Sequence, residues 1–451
     1  TAYYRTYFQA PGAWAGKTVR LEFEAVTHSA TVWVNEKQVG EHLRKGYTAF
    51  NFDISDAIKF GPLNSVTVKV DNRFNTRMLP RETSSDWTPD GGIIRPVSLH
   101  VTPQTYIERI EIEATPRLDD PKSDPKEGVA RAELSLRAVV RNAGKVARTA
   151  KIRFSIADDE LRYSGFPEEE TPAHSLAPNS AATLAAQASV ERMNLWHFDR
   201  PKLYRVWAEL QCDGKAVHTC TETFGVRKFE AKDAKFFLNG ETVRLMGVER
   251  MAGSHPDYGM AEPSSWIEHD HNDLKELNCV FTRVHWQQDK RVLDYCDRHG
   301  ILMQEEVPAW GPETFSGMTD EPSAEIMENG LEQLREMIAR DRNHPCIFAW
   351  GMCNEVNGQN PPAQKFIRRM AAEARKLDPA RLLTYASNSL QNHPERDVAG
   401  ELDFVSWNEY YETWQGGSVE SVRINAEAIH RAFPAKPIVV SEYGYCECAP
   451  D

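Results

Sequence analysis

The chain has 451 residues, which at roughly 150 residues per domain predicts about three domains, each able to bury its own core. With 41% hydrophobic, 26% charged and 10% aromatic residues it falls outside the disordered, collagen-like and low-complexity classes. Its 53 basic against 66 acidic side chains give a net charge of −13 with no Lys/Arg run, which excludes a broad nucleic-acid surface, and nothing approaches ~18 consecutive apolar residues, which excludes a membrane-spanning helix.

The opening TAYYRTYFQAP carries neither a basic nor an apolar leader region and no initiator Met. Residues 1–103 read as an antiparallel sandwich. TVRLEFEAV (18–26), SATVWVNEKQVGEH (29–42) and NSVTVKVDN (64–72) alternate apolar and polar residues between Asn, Gly and Pro. A polar insertion, LDDPKSDPKEG (118–128), interrupts a second strand-rich stretch over 104–228. Its seven or so short strands suit an immunoglobulin-like sandwich, although no Cys-Trp-Cys pattern marks an antibody-type domain.

From 229 to 451 the period changes, and short β-branched runs alternate with helical stretches of ten or more residues. Seven strands are predicted: 243–250, 279–286, 301–308, 347–355, 382–387, 402–410 and 437–444. Helices are predicted between them over 271–278, 290–300, 324–341 and 364–378. A (β/α)8 TIM barrel truncated after strand 7 accounts for this order. A doubly wound nucleotide fold competes less well, because no Gly-rich phosphate turn follows the first strand.

The eight cysteines are too thinly spread for a disulfide framework and read as buried thiols. Cys446-Glu447-Cys448 lacks a second ligand pair at zinc spacing, so no metal and no cofactor is predicted.

In a barrel the carboxyl ends of strands face the active-site mouth, and here they are polar. Trp350-Gly351-Met352-Cys353-Asn354-Glu355 ends the fourth, Trp407-Asn408-Glu409-Tyr410-Tyr411 the sixth and Ser441-Glu442-Tyr443-Gly444 the seventh, with Arg283, His285, Trp286 and Glu305-Glu306 on the second and third. Two carboxylates on strands across a barrel, Glu355 and Glu442, are what glycoside cleavage needs: one acid for the leaving oxygen, one group to attack or to activate water. A single strand-end Glu would be an ordinary solvated residue; pairing with aromatics and amides on neighbouring strands sets these two apart.

The chain resembles glycoside hydrolase family 2, which includes β-galactosidases, β-glucuronidases and β-mannosidases. The motifs that carry the resemblance are WVNEKQVGEH (33–42), DGGIIRPVSLHV (90–101), WHFDRPKLYRVWAEL (196–210), FGVRKFEAKDAKFFLNGETVRLMGVER (224–250), RNHPCIFAWGMCNE (342–355) and PIVVSEYG (437–444), the last three being specific. The resemblance implies a jelly-roll sugar-binding domain at 1–103, an immunoglobulin-like sandwich at 104–228 and a catalytic barrel at 229–451. It implies Glu355 as general acid/base and Glu442 as nucleophile of a retaining exo-β-glycosidase. Asn354 corresponds to an amide that bonds the sugar 2-hydroxyl and Tyr410 to a tyrosine that holds the nucleophile. Asn408 and Trp414 correspond to sugar-facing positions, Trp414 alternatively to a stacking platform, and Asp86 to a first-domain residue that reaches a distal hydroxyl.

One spacing departs from the family, in which Arg mostly stands three residues before a sugar-facing His. Arg283 stands two before His285, which leaves His285 and Trp286 as alternatives for that place and Arg283's part in orienting the nucleophile open. Glu306 fits a carboxylate that pairs with a cation. The family's glucuronidases carry an Asn-x-Lys pair after the nucleophile strand, in a stretch that would lie beyond Asp451. The implied partner is a carbohydrate, with neither nucleic acid nor membrane, and many relatives form homo-oligomers. A non-catalytic carbohydrate-binding relative and a mannosidase-type member are the alternatives. The barrel stretch is shorter than the usual ~250 residues, and the chain opens directly on a strand, so both ends are expected to be cut.

Overall fold

The computed structural model describes residues 1–82, 84, 87–160 and 165–444. The N-terminal part is a two-sheet β-sandwich. Ala2–Gln9, Leu63–Asp71, Ser29–Val34 and Lys37–His42 form one sheet, and Phe50–Asp53, Thr18–Phe23 and Val97–Thr102 form the other. In Leu63–Asp71 the alternate residues Val66, Val68 and Val70 point inward, as a period of two requires. They meet Val19, Leu21 and Phe23 from the facing sheet.

The second sandwich places Thr105–Arg117, Val129–Asn142 and Ser180–Asn194 against Arg148–Asp158, Tyr204–Cys212 and Lys215–Phe224. Leu134, Leu136, Ile152, Phe154, Val206 and Leu210 fill the space between the sheets.

The third part begins with a small antiparallel sheet, Phe229–Lys232, Lys235–Leu238 and Glu241–Val243. Phe229 and Phe236 from this sheet pack on Phe348, inside the barrel wall. Six parallel strands follow in sequence order, Phe281–Arg283, Leu302–Glu306, Ile347–Asn354, Leu382–Ser387, Val405–Glu409 and Ile438–Tyr443, curving into a nearly closed barrel. The helices Ser264–Glu276, Lys290–His299, Ala324–Asp341, Pro361–Leu377 and Val419–Ala432 cover it. Asp289 and Ser323 cap two of them, and Gly300, at φ 72°, closes the second.

The seven-strand expectation is corrected at its first member. Among the described residues the barrel sheet has six strands, and 243–250 supplies one parallel bridge, Gly247 to Phe281. The Val280 N–H donates to the Met246 carbonyl, 2.9 Å. The other edge of this segment lines a cleft shared with residues 439–443.

Each part has its own core, and a few residues of the two sandwiches, Tyr47, Leu79 and Trp196 among them, pack into that of the barrel. Tyr47 from the first sandwich stacks on Trp286, with ring centres 4.6 Å apart and planes 10° apart. Arg95, buried, donates to the carbonyls of Tyr47 (2.9 Å) and Gln287 (2.7 Å). Trp196 from the second sandwich donates to the Asp297 carbonyl, 2.9 Å. Of the six described cysteines five are buried and none is paired; Cys446 and Cys448 lie outside the described residues.

Candidate active site

Arg283 ends its barrel strand with a fully buried side chain. A guanidinium removed from water must have its donors matched, and this one is surrounded by oxygen. Nε donates to Glu306 Oε1 (2.5 Å) and Nη2 to Glu306 Oε2 (3.0 Å), a fork only arginine can make. Nη2 also reaches Asn354 Oδ1 (2.7 Å), and Nη1 donates to Glu442 Oε1 (2.8 Å) and to the Glu249 carboxylate. Burial alone would favour a neutral guanidine, but Glu306, Glu249 and Glu442 together hold it firmly charged.

Glu306 is fully buried, which opposes ionisation, yet Arg283 and His285 keep its carboxyl below the usual carboxylate range. Gln304 supports it from two residues earlier, Nε2 to Oε1, 2.7 Å. Gly351 on the next strand leaves room for it: a Cβ there would stand 2.3 Å from Glu306 Cγ.

Glu442 is anchored through both oxygens. Oε1 takes Arg283, and Oε2 accepts from the Tyr410 hydroxyl at 3.0 Å. Burial and the charge of Glu442 push the Tyr410 phenol well up, so it stays a donor. His285 Nε2 stands 3.7 Å from Glu442 Oε1 and Nδ1 3.5 Å from Glu306 Oε2. Burial and Arg283 both disfavour its cation, but Glu306 and Glu249 prevail and its pKa is raised.

Glu355 directly follows the strand that delivers Asn354. Its backbone is left-handed, φ 52°, a conformation that costs a side-chain-bearing residue roughly 1 kcal/mol or more and is typical of functional turns. Its N–H is secured by the Ala386 carbonyl, 2.8 Å. Asn408 Nδ2 donates to both Glu355 Oε1 and Asn354 Oδ1, each 3.0 Å, while Asn408 Oδ1 accepts from Ser441 Oγ at 2.7 Å. The Glu355 carboxyl is raised, first by burial and then by the charge of Glu442; Asn408 and Arg283 pull the other way.

The two alternatives at 285 and 286 thus separate. His285 faces the carboxylates, whereas Trp286 is fully buried between Tyr47 and Trp87. Trp414 is 59% exposed, its ring centre 4.5 Å from that of Tyr410, at the rim. Asp86 lies outside the described residues.

Glu249 is missed by the sequence reading. It stands at the end of the 243–250 segment, so the strand-end rule applied to the other strands would have flagged it. It lines a cleft of about 370 Å³ together with Tyr410 and Glu442. Burial lifts its pKa to about 7, the nearby Glu442 and Glu306 charges add to that, and Arg283 and His285 oppose it. Glu249, His285 and Glu442 bring three potential metal-ligating atoms within 4.8 Å of one another. The Arg283 guanidinium, bonded to both carboxylates, already supplies the positive charge a metal ion would bring there.

Comparison with known proteins agrees in all three parts. The TIM barrel domain of glycosyl hydrolases family 2 matches residues 229–449, the sugar binding domain of the same family matches 1–103, and a further family 2 domain matches 106–227. A beta-glucuronidase of Bacteroides fragilis is 30% identical over 444 residues, which are 96% of this chain and 60% of that protein. A beta-galactosidase of Thermoanaerobacter pseudethanolicus is 32% identical over 384 residues, covering 84% of this chain and 48% of that protein. The chain therefore spans about half to three fifths of these relatives' length. The crystal structure of a Bacteroides uniformis beta-glucuronidase superimposes with a TM-score of 0.83 at 27% identity, over 98% of this chain and 53% of that one.

Proposed function

This chain belongs to glycoside hydrolase family 2, and from that membership we propose that it serves as a retaining exo-β-glycosidase, hydrolysing terminal β-galactosides or β-glucuronides by double displacement. The observation that carries the proposal is the unequal treatment of two carboxyls. Glu442 has both oxygens held by donors, Arg283 and Tyr410, while the Glu355 carboxyl beside it is raised by burial and by the Glu442 charge.

In the first step Glu355 gives its proton to the glycosidic oxygen as Glu442 attacks the anomeric carbon; the C–O bond to the aglycone breaks and a glycosyl ester forms. Glu442 is then uncharged, one of the two forces raising Glu355 disappears, and Glu355 as a carboxylate takes a proton from the water that attacks the same carbon. The ester breaks, the sugar leaves, and both groups return to their first state.

The supporting roles follow the hydrogen bonds. Asn354 Oδ1 already accepts from Arg283 and Asn408, which leaves its NH₂ group to donate to the sugar 2-hydroxyl. Arg283 and Tyr410 keep Glu442 oriented. His285 and Asn408 bind hydroxyls around the reacting ring and Trp414 stacks at the rim; by the family resemblance Asp86 is assigned to a distal hydroxyl. The reading keeps the division into 1–103, 104–228 and 229–451. The six parallel strands and the single Gly247 bridge are read as part of a (β/α)8 barrel. Homo-oligomerisation belongs to the same reading.

Relatives are named for both sugars, so the test compares them. The full-length protein is assayed on p-nitrophenyl β-galactoside, β-glucuronide and β-mannoside, with NMR observation of the first anomer released. The expected result is hydrolysis of one of the first two with β-anomer appearing first. Initial release of the α-anomer, or sugar binding with no hydrolysis, would overturn the proposal.

A further inference from the structure

On the side of the barrel opposite the strand ends that carry Glu355 and Glu442, a cavity of about 250 Å³ opens between the second sandwich and the loops that precede two barrel strands. Its charged lining is Glu113, Arg227, Lys228, Arg342, Asp378 and Arg381. Lys228 is matched by Glu230, 3.0 Å, and Arg381 by Asp378, 2.9 Å, with the rest of the Arg381 fork on the carbonyls of Ile347 and His344.

The other two arginines are not so served. Arg227 makes no ion pair among the described residues; it donates to the carbonyls of Pro345 (2.5 Å) and Ile347. Arg342, 7% exposed, makes one bond of 3.3 Å to Glu111, a carboxylate already engaged by Arg109 and Arg137, and its Nε is buried with no partner. The lining itself therefore holds four cations, Arg227, Lys228, Arg342 and Arg381, against two carboxylates, Glu113 and Asp378. Arg342 is the buried one of these, and a buried guanidinium with an unpartnered Nε is unfavourable unless an anion compensates it. The strain is visible in their basicity: burial first, and the neighbouring Arg381 second, bring Arg227 down to about 9, and burial lowers Arg342 as well.

We propose that this cavity binds a small oxyanion of the phosphate or sulfate class between Arg227 and Arg342, and that the anion fastens the second sandwich to the barrel. Planar guanidinium forks match tetrahedral oxyanions two bonds at a time. At roughly 30 Å³ per water the cavity has room for such an ion with several waters, or for the phosphoryl end of a larger molecule. The proposal does not depend on the glycosidase reading.

The test uses the full-length protein and inorganic phosphate as probe, with hexose phosphate as a second arm and chloride at matched ionic strength as control. Calorimetry should show saturable phosphate binding with Kd of about 1 mM or tighter, and thermal unfolding should shift up by ~2 °C or more with phosphate over chloride. Preference for hexose phosphate would assign the site to a phosphorylated ligand, and equal binding to the free ion. In Arg342→Gln, and less so in Arg342→Lys, phosphate affinity should fall about tenfold or more, with glycoside turnover unchanged. Absence of saturable binding to the wild-type protein, equal stabilisation by chloride, or full affinity in folded Arg342→Gln would each overturn it. The wild-type calorimetry decides the matter if the variant does not fold.

Discussion

Arg283 stands at the centre of the site because one cation serves three carboxylates of different use: Glu306 fixes its plane, Glu442 takes one Nη1 bond, and Glu249 takes another from the same atom. If Glu355 is the acid, its loss should hurt only where the leaving group needs a proton. Glu355→Gln should lower kcat/KM about 10²–10⁴-fold on alkyl glycosides and far less on dinitrophenyl glycosides; equal losses on both would contradict its role. Glu249 is the further carboxylate at this centre, and once ionised it adds negative charge beside the place of the sugar. Its pKa of about 7 puts that charge present above neutrality and absent below. Glu249→Gln should therefore favour an anionic β-glucuronide over a neutral β-galactoside by about 5–30-fold in relative KM, the effect growing as pH rises through 7 and vanishing near pH 5. KM measured for both sugars across that range checks it. Glu355 and Glu442 are legible in the sequence because each ends a β-branched run with amides and aromatics beside it. The choice of His285 over Trp286 is not, because it is made by Tyr47, some 240 positions away, covering the indole face.

The strands explain how those side chains arrive in register. Ile347–Asn354 is buried along its whole length, so its residues are apolar or small until the turn, where the left-handed backbone of Glu355 redirects the chain. Gly351 matters at this scale, since a methyl group there would press on the Glu306 side chain that pins Arg283. Gly351→Ala should keep the fold, cost about 1–3 kcal/mol in stability, and lower kcat more than it raises KM, because it displaces Glu306, which holds the Arg283 bonded to Glu442. Thermal unfolding and steady-state kinetics on one preparation test this, and unchanged kcat would contradict it. The six described barrel strands are legible from their β-branched runs and the helices between them. The 243–250 run misleads because Val243 finishes an antiparallel strand and Gly247 abuts the Phe281 carbonyl, where a Cβ would come within 1.7 Å. The residues look like a strand, but they pair with Phe281 through a single bridge.

Across the whole molecule, buried contacts join the two sandwiches to the barrel. The second sandwich reaches the barrel through Trp196 on the Asp297 carbonyl, and the Asp297 side chain in turn holds His344 Nδ1 (2.6 Å) and the Cys346 N–H (2.9 Å). Burial opposes the His344 cation, but Asp297 overrides it and raises the pKa to about 9 from an ordinary 6.5. A raised folded-state pKa stabilises fully below about pH 6.5 and progressively less as pH climbs through 9, on the order of 3 kcal/mol in all. The wild-type Tm should thus fall over pH 6.5–9 more steeply than that of His344→Gln; parallel curves would contradict it. The order of the three parts is legible from the change of hydrophobic period, but their docking is not, since Arg95, Trp196 and Tyr47 read as ordinary sandwich residues until the barrel covers them. The proposed double displacement requires Glu442 to become covalently bonded to sugar. The most direct measurement is to treat the full-length protein with 2-fluoro-2-deoxy β-glycosyl fluorides of galactose and glucuronic acid and map the product by mass spectrometry. One fluorosugar per chain is expected, attached at Glu442 and absent in Glu442→Gln; a label on any other residue, or turnover that survives Glu442→Gln, would contradict the double displacement.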